Sequence, residues 1–254
     1  MSSVRALVRR PSSHLAEGIV THIARSVVDV ELALRQWHSY TAALRAEGWE
    51  TIEVPPADDC PDSVFIEDTM VVFGTTAVIT RPGAASRRRE ILAASATIAE
   101  LGYTIATIEA PGTLDGGDVL KIGDTVYVGH GGRTNDDGIR QLRAVLEPLG
   151  ATVVAVPLTK VLHLKSAVTA LPDGTVIGYF PLVDDATLFP MFLSVPEESG
   201  AHVVLLGGSR LLMSADCPRT VEMLTDLGYQ VRTVDISEYI KLEGCVTCLS
   251  VRLR

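Results

Sequence analysis

Three residues far apart in the chain carry the chemistry to read first: a thiol at Cys248 (VTCLSV), an imidazole at His163 (VLHLKS) and a carboxylate at Asp115 (LDGGD). A free thiol titrates at about 8.5 and is mostly protonated at neutral pH, so a nucleophilic cysteine needs a nearby cation or base. His163 could act as general acid and base, with Asp115 orienting its ring. Each has a plainer reading when taken alone. His163 lies in an apolar run, where a histidine is more often a satisfied core residue. Cys248 lies in a similar run, where it reads as a buried structural cysteine.

A second group of residues suits a cationic ligand. Asp62, Glu67 and Asp68 lie in ADDCPDSVFIED, and the last two fall between the apolar stretches 64–66 and 70–73. That places Glu67 and Asp68 at the entrance or exit of a buried strand, where carboxylates need a partner. A guanidinium fits two carboxylates with forked hydrogen bonds. Arg87 (SRRRE) and Arg133 (GGRTND) each follow a hairpin phrase near a helix start, and together they could hold an α-carboxylate. The plainer reading of 87–89 is a surface run. LDGGD is neither a phosphate loop nor a dinucleotide fingerprint, and its two glycines let the backbone pass close to something. Cys245 and Cys248 spell C-x-x-C, but there is no thioredoxin-like context for a redox motif and no second ligand pair for zinc.

The elements that position these residues follow a repeat. A helical run, a turn signal and a short apolar strand recur as EGWETIEVPP, LGYTIATIEAP, LGATVVAVPL and LGYQVRTVDI, with a weaker copy in MFLSVPEESG. Taking Pro55, Pro111, Pro157, Pro196 and Asp235 as equivalent marks, the spacings are 56, 46, 39 and 39 residues. Helical patterns cover 31–47, 86–101, 135–149 and 220–227, two of them ended by Gly102 and Gly150 at positions where positive φ is cheap. After each strand phrase comes a hairpin-like pair, as in TMVVFGTTAVITRP and VLKIGDTVYVGH. The fifth hairpin needs VTCLSVRLR from the C-terminus and VRALVRRP from the N-terminus. The expected fold is therefore α/β: five strand–hairpin–helix units in one domain over 1–254, a pseudo-fivefold propeller with the termini closing the ring. The polar residues singled out above fall just after the strand phrases. In such a ring they would converge on the axis.

Composition narrows the function classes. The 254 residues are 47% hydrophobic and 21% charged, which supports a sizeable core. Net charge is −9, which argues against a nucleic-acid partner and suits a small cationic substrate. No stretch is long and apolar enough to span a membrane, and the opening residues MSSVRALVRRPSSHL lack the apolar core of a secretory signal. Four cysteines are too few for a disulfide scaffold, so the expectation is reduced thiols in the cytoplasm.

With PDSVFIED at 61–68, RPGAASRR at 81–88, LDGGDVL at 114–120, GRTN at 132–135, LHLKS at 162–166 and EGCVTCLSV at 243–251 in this order, the chain resembles the dimethylarginine dimethylaminohydrolases of the pentein superfamily over nearly its whole length. The resemblance implies a five-bladed propeller with the site on its axis. It implies Cys248 as nucleophile on a guanidinium carbon, His163 as proton donor to the departing amine, and Asp115 as its orienting partner. By the same likeness Glu67 and Asp68 hold the guanidinium, Arg87 and Arg133 the α-carboxylate, and Asp62 the α-amino group. The Leu242 main chain touches the amino-acid end, and Ile19 sits in a lid loop that Gly18 frees to move. The ligand implied is a small guanidino amino acid. No metal or organic cofactor is implied, although zinc can block the family's cysteine. A homodimer is compatible with such a ring. The chain departs from the usual pattern at Gly131 (often Ser), His202 (usually Asn), Glu243 (commonly Asp) and in the lid around Ile19. Three other readings compete: a related hydrolase of arginine, citrulline or another guanidine or ureide; a non-catalytic guanidino-binding protein, which would be expected to lack a triad member; and a redox module on Cys245 and Cys248.

Overall fold

The repeated phrase folds into five sheets of three strands in a computed structural model that describes residues 4–253. Residues 1–3 of the opening segment and Arg254 of the last strand phrase lie outside the described residues. Strand β1 (Arg5–Val8) leads through helix α1 (Val30–Ala46) to β2 (Glu50–Glu53), parallel to β1. The hairpin of β3 (Met70–Phe73) and β4 (Thr76–Ile79) then runs through α2 (Ile91–Glu100) to β5 (Thr104–Thr107), parallel to β4. The same order recurs in β6 (Val119–Ile122), β7 (Thr125–His130), α3 (Asp136–Leu146) and β8 (Thr152–Pro157). A one-turn helix α4 (Leu164–Ala167) precedes β9 (Val168–Ala170), β10 (Val176–Gly178) and β11 (Phe192–Ser194). Then come β12 (Val204–Gly207), β13 (Arg210–Ser214), α5 (Pro218–Asp226) and β14 (Gln230–Val234). Finally α6 (Ser237–Ile240) leads to β15 (Val251–Leu253), which returns to pair antiparallel with β1, Arg5 opposite Leu253. The architecture is the pseudo-fivefold α/β propeller expected from the repeat.

Why the central strands lack an apolar–polar alternation is clear from their packing. Successive side chains of a strand point to opposite faces. In β1, Ala6 and Val8 enter one apolar cluster and Leu7 another; in β4, Val78 parts from Ala77 and Ile79; in β13, Leu212 parts from Leu211 and Met213. Each central strand is thus buried on both faces, between its own unit and a neighbour. The cluster around Trp37, Tyr40 and Leu44 of α1 takes in Val204, Leu212 and Val234, joining the β12–β14 sheet to the start of the chain.

Local signals set the helix ends. Asp29 caps α1 by accepting the Leu32 N–H, and Asn135 caps α3 by accepting the Gly138 N–H at 2.9 Å. Gly102 and Gly150 adopt φ of +85° and +95°, as their turns require. Two expectations are corrected. The run 86–101 begins as a 3-10 turn, Ala85–Glu90, before α2 forms. The fourth unit has no α-helix between its parallel strands, only the 3-10 turns Phe180–Leu182 and Ala186–Leu188. That link is short, and Pro181 and Pro190 cannot serve inside a helix. Among the described residues no helix is long and apolar enough to cross a membrane.

Candidate active site

Each chemistry-bearing residue sits just ahead of the first hairpin strand of a unit. Glu67 and Asp68 occupy the 3-10 turn Ile66–Thr69 before β3, and Asp115 opens the turn Gly116–Asp118 before β6. His163 is the residue before α4, His202 follows the turn before β12, and Cys248 lies three residues ahead of β15. One small cavity of about 20 Å3 gathers Cys248, His163, Asp68, Asp62, Arg87, Arg133, Ile19 and Leu242 from these segments and the lid. That space suits about one water, with Ile19 of the lid among its walls.

The imidazole of His163 is held between two carboxylates. Its Nε2 lies 3.0 Å from Asp115 Oδ2, and its Nδ1 lies 3.8 Å from Asp68 Oδ1. Burial disfavours the imidazolium, but the Asp68 charge and the Asp115 hydrogen bond outweigh it, and His163 is pushed up to about 9. Burial likewise opposes charge on Asp68, yet His163 and Arg87 hold its carboxyl well below the usual range. Arg87 Nη1 donates to Asp68 Oδ2 at 2.6 Å, and Gly117 N–H donates to Oδ1 at 2.8 Å. Gly117 is glycine because a Cβ there would lie 2.6 Å from His163 Nδ1 and 2.7 Å from Asp68 Oδ1. Asp115 does not line the cavity. It stands behind His163, fully buried, and accepts from Gly83 N–H at 2.8 Å and Arg133 Nη1 at 3.4 Å.

Glu67 donates its N–H to the Cys248 carbonyl at 3.2 Å, but its carboxylate is paired away from the small cavity. Its Oε1 pairs with Lys165 Nζ at 2.7 Å and Arg252 Nη2 at 2.5 Å. These three residues line a separate cavity of about 510 Å3, which shares no lining residue with the first. Its place beside Asp68 in sequence therefore does not bring its carboxylate to the same space. Arg87 lines the small cavity but spends its guanidinium on the protein, adding contacts to Glu90 at 2.8 Å and to the Asp62 and Phe65 carbonyls at 3.3 Å.

The lid is tied down at several points. Ile19 N–H donates to the Asp62 carboxylate at 3.1 and 3.2 Å. Glu243 accepts from the backbone N–H groups of Thr21, His22 and Ile23. Gly18 has an extended backbone, φ −51° and ψ 156°; the lack of a Cβ matters because one would meet Asp62 Oδ1 at 2.8 Å. Close approach, rather than freedom of rotation, is what requires glycine here.

Cys248 Sγ lies 3.2 Å from Cys245 Sγ. That hydrogen bond and burial push the Cys248 thiol well above its ordinary value. In this geometry Cys248 is a neutral thiol, so it needs a further positive charge beside it to ionise. Asp68, Asp115 and His163 each bring one ligand atom within 4.8 Å of the others, a spacing a metal ion could use. All three are already hydrogen-bonded, with Arg87 and Arg133 beside them. The arrangement suits proton transfer by His163.

Several supporting residues were not legible as such. Glu90 is 1% exposed and holds Arg87 from one turn away; an i, i+3 Arg–Glu pair in SRRRE was the available signal. Arg9, fully buried, donates to the Glu90 carbonyl from both Nη atoms at 3.0 Å. Thr134 Oγ1 accepts the Asp115 N–H at 3.2 Å and donates to Asp118 at 2.6 Å. Burial pushes Asp118 up to about 6, and Asp118 in turn accepts the Leu164 N–H that fixes the turn after His163.

Comparison with known proteins agrees with this arrangement. Residues 12–204 match the family described as ADI, arginine deiminase. The chain is 68% identical over 254 residues to the N(G),N(G)-dimethylarginine dimethylaminohydrolase of Streptomyces coelicolor, covering 100% of this chain and 98% of that one. It is 37% identical over 250 residues to the Pseudomonas aeruginosa protein of the same name, covering 97% and 98%. Among solved structures, a dimethylarginine dimethylaminohydrolase adduct with S-methyl-L-thiocitrulline superposes with a TM-score of 0.92 at 35% identity, covering 98% of this chain and 99% of that one. A cysteine-to-serine variant of the Pseudomonas aeruginosa protein, complexed with citrulline, gives 0.90 at 36% identity, covering 98% of each. Matched by the family over most of its length and by these relatives from end to end, the chain belongs to the arginine deiminase family, among its dimethylarginine dimethylaminohydrolases.

Proposed function

We propose that this protein hydrolyses Nω-methylated L-arginines, asymmetric dimethylarginine and monomethylarginine, to L-citrulline and the corresponding methylamine. One observation carries the reading: Cys248, His163 and Asp68 wall a single small cavity in a chain 68% identical throughout to a protein of that name. The substrate guanidinium enters beside Asp68 and brings the positive charge that the neutral Cys248 thiol lacks. Its arrival favours the thiolate, the thiol proton passing to solvent because His163 already carries its own, and the thiolate attacks the guanidinium carbon. His163, protonated at neutral pH by its two carboxylates, gives its proton to the departing amine. A thiouronium remains on Cys248. The now neutral His163 takes a proton from water, the hydroxide adds to the thiouronium carbon, and citrulline leaves as the carbon–sulfur bond breaks.

The remaining roles are assigned in the same terms. Arg133, with a single 3.4 Å contact to Asp115, takes the α-carboxylate, and Arg87 joins it only by releasing part of its contacts to Glu90 and the Asp62 and Phe65 carbonyls. Asp62, whose carboxylate is occupied by the Ile19 N–H, takes the α-amino group when the lid lifts. Ile19 and the Leu242 main chain cover the amino-acid end. Glu67 supports Asp68 through the shared turn and reaches the substrate only if its ion pairs to Lys165 and Arg252 open. The scheme uses no metal or organic cofactor, one catalytic unit spans 1–254, and we place it in the cytoplasm.

The test is citrulline formation by the purified protein from asymmetric dimethylarginine, monomethylarginine and arginine side by side, with Cys248→Ser as control. The reading expects citrulline from the methylated substrates and none from the variant. Citrulline mainly from arginine would move the chain to a deiminase reading with the same catalytic residues. No citrulline from any of them would overturn the proposal.

A further inference from the structure

The C-x-x-C segment has one cysteine that the hydrolytic scheme does not use. Cys248 lines the small cavity of about 20 Å3, whereas Cys245 lines a different cavity of about 610 Å3 together with His202, Ser199 and Ser214. Both thiols are free, and their sulfurs stand 3.2 Å apart, held in one turn by the Cys248 N–H to Cys245 carbonyl bond at 3.1 Å. A disulfide needs an S–S distance of about 2.04 Å, an approach of about 1.2 Å that small side-chain rotations supply. The Thr247 hydroxyl lies 3.2 Å from Cys245 Sγ, a second hydrogen-bond partner for that sulfur. We propose that Cys245 is a peroxide-reactive residue that captures Cys248 in a reversible disulfide, the larger cavity being where the hydroperoxide reaches it.

The two cavities explain the order of events. A hydroperoxide fits readily beside Cys245, whereas the adjoining space at Cys248, which shares Leu162, Glu243 and Gly244 with it, is only about 20 Å3. The hydrogen bond shared with Cys248 draws the Cys245 thiol below its ordinary value against the effect of burial, and His202 acts in the same direction. The Cys245 thiolate attacks the peroxide, forming a sulfur–oxygen bond as the oxygen–oxygen bond breaks; hydroxide leaves and takes up a proton as water. The sulfur is oxidised to a sulfenic acid and the peroxide is reduced. Cys248 then gives up its proton and attacks that sulfur, and the sulfur–oxygen bond breaks to release a second water. Loss of hydrolysis rests on Cys248 being the nucleophile; formation of the bond does not.

The full-length protein is treated with hydrogen peroxide, its remaining thiols are alkylated after denaturation, and intact mass, peptide map and citrulline formation are measured. The expected result is a loss of two hydrogens, a linked Cys245–Cys248 peptide, Cys60 and Cys217 still alkylated, and activity that falls to background and returns with dithiothreitol. Cys245→Ser is expected to react more slowly and to gain oxygen at Cys248 instead. A wild-type protein that gains oxygen at Cys248 without the linked peptide, or that reacts no faster than Cys245→Ser, would overturn the proposal. A linked peptide in a protein with no citrulline activity before treatment upholds the disulfide and defeats the hydrolase reading.

Discussion

Glu67 and Asp68 are consecutive, share one 3-10 turn and are 4% and 2% exposed, yet they serve different cavities. Asp68 meets Arg87, the Gly117 N–H and His163 at the small cavity. Glu67 meets Lys165 and Arg252 at the larger one. Gly116 and Gly117 divide in the same way. A Cβ on Gly117 would strike the His163 ring and the Asp68 carboxylate, while one on Gly116 would strike the Glu67 carbonyl oxygen. A 3-10 turn advances about 120° per residue, so neighbours in it face different directions. A doublet of like residues in such a turn thus supplies one group to the chemistry and one to the framework.

The contrast is sharpest in the carboxylates. Asp68→Asn removes the negative charge beside the substrate and 3.8 Å from His163 Nδ1, and kcat/KM should fall about 100-fold. Glu67→Gln should leave kcat/KM within about threefold while unfolding free energy drops by about 3 kcal/mol, because Lys165 and Arg252 lose their shared partner. Steady-state kinetics beside denaturant unfolding of the two variants checks both; equal kinetic losses would erase the division. The glycines give a smaller effect of the same kind. Gly117→Ala should lower kcat about tenfold by displacing His163. Gly116→Ala should act on stability instead, by about 2 kcal/mol, since the backbone of the Glu67 turn must shift.

The smallest effect is on pH dependence, and it belongs to the small cavity alone. A proton donor held at about 9 in the free protein is lost as pH rises, so kcat/KM should reach half its plateau near that value. The same shift links to stability. The folded value lies above the 6.5 of a free imidazole, so the contribution of His163 is full below 6.5 and disappears as pH rises through about 9. Asp68, shifted down, acts in reverse: its contribution is present above the free carboxylate value and is lost as pH falls. A kcat/KM–pH profile flat to well above 9 would show that His163 is not the donor.

Much of this was legible because the chain repeats. Five copies of one phrase located the parallel strands and hairpins, and the polar residues after the strand phrases did fall into equivalent turns. The central strands read only as apolar runs, since both faces are buried and no alternation survives. The missing fourth helix was hidden by the repeat itself, which invited a helix where Pro181 and Pro190 forbid one. At the site, residue type and order identified most of the side chains that share the cavity, though not Glu67 or Asp115, which lie outside it. Glu67 was grouped with Asp68 because sequence records adjacency and not the turn angle. Glu90, Arg9 and Thr134 were missed because they act on other residues rather than on a ligand, and such partners become visible only when the units are brought together.

The most direct test of the account is a mass spectrum of the protein quenched in acid during turnover of asymmetric dimethylarginine. The account predicts a substrate-derived thiouronium on the peptide bearing Cys248, absent in Cys248→Ser. An adduct on Cys245 in its place, or citrulline formation at full rate by Cys248→Ser, would contradict it.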